Sequence, residues 1–106
     1  MEMDVRFRDK KMAEAAGDRN SLVKNYGSRR AAILMRRLDD IRSAACLADL
    51  RFLPGHYHAL SGDRKGQWAC DLDQPYRLIL EPVEDDGDWK SVAVIDIIEI
   101  TDYHGK

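Results

Sequence analysis

The chain of 106 residues predicts a single α+β domain, with N-terminal helices packed on one face of a mostly antiparallel sheet of about four to five strands. Two observations point there. Through the first half, apolar residues recur at three- and four-residue steps; the second half breaks into short strand-like runs separated by Gly, Pro and Asp turns. No linker, repeat or low-complexity segment divides the two halves, so one core has to serve both.

The elements follow in order. "MDVRF" alternates Met3, Val5 and Phe7 with Asp4 and Arg6, the period of a half-buried strand. Asp9 is placed to cap a short helix, "KKMAEAA", which Gly17 stops, and "NSLVKNY" is a second helical stretch ending at Gly27. The long helix runs from Ser28, as its cap, to about Ala45; Ala31, Ile33, Leu34, Leu38, Ile41 and Ala45 form its apolar stripe. "CLADLRFL" reads as a helical turn before Pro54-Gly55. Strands are expected at "HYHAL", "QWACDL", "YRLILEPV" and "SVAVIDIIEI", with turns at Gly62–Gly66, Asp73–Pro75 and "EDDGD". The last of these strands is apolar almost throughout, which places it inside the sheet with both faces covered.

Composition narrows the class. An apolar share of 44% and a charged share of 34% describe a globular protein. No apolar run approaches the roughly 20 residues of a membrane helix, and "MEMDVRFRDKK" lacks the apolar region of a secretory signal, so a cytoplasmic protein is expected. Cys46 and Cys70 have no metal-ligand spacing and are expected as reduced thiols. The net charge of −2 gives no global nucleic-acid signature. Its distribution is uneven, +4 over residues 1–53 and −6 over 54–106, as for a protein with one partner-facing side.

Three groups could carry chemistry. His56 and His58, two apart on a strand, would share a face; with Asp102 or His104 they could hold a metal, although Arg64 and Lys65 alongside would repel a divalent cation. Alternatively His58, Arg77 and His104 form a phosphodiester site. Histidine exchanges protons near neutrality, and arginine grips phosphate oxygens as charge grows on them. Such a reaction needs neither metal nor cofactor when the nucleophile is the RNA 2′-OH. Arg77 also reads as an edge residue with its stem on apolar surface. Third, Asp102 could orient an imidazole and Tyr103 could stack on a base. Arg29, Arg30, Arg36 and Arg37 on the long helix are candidate RNA contacts, as are Arg64 and Lys65 in the turn; a solvated helix face accounts for the first four equally well.

Taken together, "H-x-L-x-GDRKGQW", "YRLILEP" and the final "DYH" resemble the HigB-like killer toxins of bacterial toxin–antitoxin pairs, within the RelE/ParE superfamily. The likeness runs from about Arg29 to His104 and includes "CLADLRFLPG". It implies a RelE-like fold and a ribosome-dependent messenger RNA endonuclease, with His58, Arg77, Asp102, Tyr103 and His104 as the catalytic set. It further implies a HigA-like helix-turn-helix antitoxin as partner, operator DNA reached through that antitoxin, and no membrane association. One departure stands out: many members read "H-P-L-K-GDR", whereas this chain has Ala59 and Ser61. Loss of a fixed cation there would cost roughly a few kcal/mol of transition-state stabilisation. The alternative is therefore a toxin of the same fold that acts by binding, on its operator complex or on DNA gyrase.

Overall fold

The computed structural model describes residues 2–102. Helices α1 (Lys10–Ala15), α2 (Arg19–Tyr26) and α3 (Ser28–Ser43) follow strand β1 (Asp4–Phe7); a 3-10 helix, Leu47–Phe52, leads to β2 (His58–Ala59), β3 (Trp68–Asp71), β4 (Tyr76–Pro82) and β5 (Val94–Asp102). The strands form one open sheet in the order β1-β5-β4-β3-β2. β1 is parallel to β5 and every other neighbouring pair is antiparallel. This is the α+β architecture expected, with the helices on one face.

Local chemistry explains most boundaries. The Asp9 carboxylate accepts from the Lys11 and Met12 amides, and Asp18 caps α2 in the same way. Gly27, at φ 87°, takes the capping position of α3 that the spacing assigned to Ser28; Ser28 is the first helical residue and no side chain caps this end. α3 stops at Ser43 rather than Ala45, because Ala44 turns extended and the Met3 amide bonds to the Arg42 and Ala44 carbonyls. Ala45 is left exposed. Leu34, Leu38 and Ile41 of α3 are buried against Trp68, Cys70, Leu78, Leu80, Ile95 and Ile97 of the sheet. Each such side chain contributes on the order of 1.5–3 kcal/mol by leaving water.

Two strands differ from expectation. "HYHAL" yields only His58–Ala59, because His56 has φ 55° and lies in a turn whose Gly55 carbonyl accepts from the Asp71 amide at 2.7 Å. "SVAVIDIIEI" begins its strand at Val94. Before it, the Val92 and Trp89 carbonyls are occupied by the Leu47 and Ala48 amides, which tie this loop to the 3-10 helix. β5 lies inside the sheet as expected, but apolar groups cover only one of its faces: Asp96 and Glu99 stand on the other.

Ordinary alternation places Asp96 on that face, and a β-bulge places Glu99 there. Ile79 pairs with Glu99, yet the next residue, Leu80, pairs with Ile97, so Ile98 is an extra residue on β5. The insertion reverses the alternation. Ile95 and Ile97 face the core before it; Ile100 packs on the core after it, and Glu99 turns to the helix-free face.

Candidate active site

The helix-free face of the sheet brings the candidate residues together. Hydrogen-bond register aligns its residues in rows across the strands. His58, Ala69, Ile79 and Glu99 form one row, and Asp71, Arg77 and Thr101 the next. A third holds Glu81, Asp96 and Arg6. Adjacent rows lie roughly 6.5–7 Å apart, two residues of strand rise.

His58 and Arg77 thus share this face, on strands separated by β3. The His58 Nδ1 lies 2.8 Å from the His56 carbonyl. A carbonyl only accepts, so Nδ1 is the donor in this bond, and in the neutral form of the ring the bare nitrogen is Nε2. The His56 ring stacks on His58 with centroids 4.4 Å apart, placed there by the turn at His56 and not by strand alternation. Asp71 joins the group: one carboxylate oxygen is 3.4 Å from the Arg77 Nε and the other 3.9 Å from the His56 Nδ1.

Asp102 pairs with Tyr76, a residue packed on the core, so alternation places it toward the helix side at the exposed end of β5. Thr101 is what stands opposite Arg77. Tyr103 and His104 lie outside the described residues.

The candidate RNA contacts divide into two kinds. Arg29, Arg36 and Lys65 are exposed. Arg30 and Arg37, two helical turns apart on α3, face the β3–β4 hairpin instead. Arg30 forks onto the Asp73 carboxylate at 3.0 and 3.4 Å with its guanidinium 3.5 Å over the Tyr76 ring; the pair with Asp73 raises its already high pKa further. Arg37 donates to the Asp71 carbonyl at 2.8 Å, and a Cβ on Gly55 would sit 2.7 Å from its Nε. Both therefore fasten the strand that positions Asp71. Arg64 reaches from the β2–β3 turn to Glu99 at 2.8 Å and to Gln67 at 2.9 Å. Half-exposed to solvent, such a pair contributes on the order of 0–1 kcal/mol.

Sequence reasoning missed Asp71 and Glu99. Asp71 was readable: residues 71 and 77 are equidistant from Gln74 at the hairpin's centre, which sets them opposite each other. Glu99 was not, because its direction depends on the bulge. Cys70 is buried and Cys46 half-buried, both with free thiols. Among the described residues no three His, Cys, Asp or Glu side chains converge as metal ligands, and no helix is long and apolar enough to cross a membrane.

Comparison with family models, curated proteins and solved structures finds no match to this chain. The functional reading rests on the site's geometry and on its motifs.

Proposed function

We propose that the chain is the toxin of a bacterial toxin–antitoxin pair, acting in the cytoplasm as an endoribonuclease on messenger RNA at the ribosome. The observation that carries this reading is the shared face of His58 and Arg77, with the His58 Nδ1 engaged by the His56 carbonyl so that Nε2 is the nitrogen turned to exchange a proton. In the proposed reaction the ribose 2′-oxygen attacks the adjacent phosphorus and the P–O5′ bond breaks. This leaves a 2′,3′-cyclic phosphate and a free 5′-hydroxyl. An imidazole takes the 2′-OH proton and another group returns one to the leaving oxygen. Arg77 stabilises the charge that grows on the non-bridging oxygens. The motif resemblance adds Tyr103 and His104 as partners in this chemistry, and a helix-turn-helix antitoxin that silences it.

One observation favours a second reading. Arg77 and Arg64 are both paired with carboxylates, and exposed Ser61 stands where related toxins carry a lysine. A toxin that blocks its target by binding, DNA gyrase among the candidates, fits that charge balance.

Cell-free translation of a defined message with the purified chain added, mapped by primer extension, separates the two. New ribosome-dependent 5′ ends are the expected result. Blocked translation over an uncut message would replace the nuclease with the binding toxin, and normal translation of intact message would overturn both as ribosomal activities.

A further inference from the structure

The ion pair between Arg64 and Glu99 has an unusual path. Arg64 belongs to the turn that joins β2 to β3, and Glu99 lies on β5, so the pair crosses the open face above β3 and β4. Beneath it lie Ala69 and Ile79, both 0% exposed although their row faces away from the helices. His58 closes one end of that row and Glu99 the other, with Arg77 one row away. Glu81 and Asp96 continue the carboxylates on this face; Glu81 accepts from Gln67 at 3.1 Å, and both accept from Arg8.

We propose that Arg64 is a second phosphodiester contact of this face, masked in the free protein by Glu99, whose carboxylate occupies the guanidinium until an RNA phosphate displaces it. This rests on reading the face as an RNA site and names how that site is regulated. Glu99 takes one terminal nitrogen of the guanidinium while the other donates to Gln67. A phosphate oxygen accepts from the nitrogen that Glu99 takes as a carboxylate oxygen does, so one replaces the other without rearranging the arginine. The pair is reachable from solvent, with side chains 34% and 45% exposed, and an ion pair of that kind is weakly held. Exchanging one anion for another yields little net affinity for bare RNA. The free chain therefore ignores RNA at large, and engages a strand held in place by a larger assembly.

The test is binding, read apart from cleavage. A labelled single-stranded RNA oligonucleotide of mixed sequence is titrated by fluorescence anisotropy over a range of salt. Glu99→Gln is compared with Glu14→Gln, which removes the same charge from an exposed position on α1. Glu99→Gln is expected to bind about three- to fivefold more tightly than Glu14→Gln. Its log K should also fall more steeply with log salt, by about 0.7 for one further phosphate neutralised on a single strand. Adding Arg64→Gln should remove both effects, and Glu99→Ala should reproduce them if the glutamine amide still holds Arg64. Equal binding by all the carboxylate variants, or tighter binding that survives Arg64→Gln, overturns the masking. Message left intact by the wild type, with the tighter binding present, would overturn the nuclease reading and leave this one standing. Cleaved message with unchanged binding would do the reverse.

Discussion

The His58 Nδ1 is fixed by the carbonyl of His56, 2.8 Å away, so the backbone of one histidine sets the tautomer of the other. The bond does not use the His56 side chain. Under the nuclease reading, His58→Ala is expected to lower message cleavage by about 10²–10⁴-fold, the usual loss for a general acid or base. His56→Asn keeps the carbonyl and tolerates the positive φ, so it should stay within about threefold of wild type. Primer extension on both variants checks this, and equal losses would mean that the His56 ring shares in the chemistry.

Arg77 is held at 3.4 Å from Asp71 by its Nε, which leaves the planar end of the guanidinium directed by that contact. Lysine offers a point charge without the fork. Arg77→Ala and Arg77→Lys are therefore both expected to reduce cleavage by about 10²–10³-fold, the scale for one lost charge stabiliser. Recovery of activity in the lysine variant would show that charge alone suffices at this position.

Arg30 makes a structural tie between α3 and the β3–β4 hairpin through Asp73 and the Tyr76 ring. Its replacement by alanine should lower unfolding free energy in urea by about 2 kcal/mol, from the lost charged hydrogen bonds and ring stacking. Arg30→Lys should recover less than half of that. A double-mutant cycle with Asp73→Asn should show coupling between the two, and additive losses would mean that the ion pair contributes nothing.

The core predicts an alkaline instability. Burial pushes the Cys70 thiol up to about 12 from an ordinary value of 9.0, and burial likewise raises the Tyr57 phenol. Below pH 9 the thiol is protonated in the folded and the unfolded chain alike, and stability is at its full value. Between pH 9 and 12 the unfolded chain gives up the Cys70 proton while the folded one keeps it, so stability falls, by about 1.4 kcal/mol per pH unit for that one group. Tyr57 adds to the slope above its ordinary 10.0. Urea midpoints at pH 8, 9.5 and 11 measure this, and Cys70→Ala should flatten the first part of the decline.

Much of this protein was legible in the order of its residues. Asp9 as a cap, the apolar stripe of α3, the 3-10 turn after Cys46 and the interior place of β5 are local patterns, set by residues within a few positions of one another. His58 and Arg77 could be named as candidates for the same reason: residue type and nearby motif carry the signal. Direction is what residue order could not supply. Arg30 and Arg37 read as solvated or RNA-facing until Asp73 and Asp71, more than 30 residues on, are brought beneath them. The run "IIEI" gives no sign of which isoleucine is the insertion, so the side that Glu99 faces was open. Strand pairing decides it, because one extra residue on β5 reverses every side chain beyond it. Which elements form and where the core lies follow from helix and strand periods, which are properties of adjacent residues. Which distant charges meet is a matter of how the strands align, because Arg64 reaches Glu99 only through the register of β5.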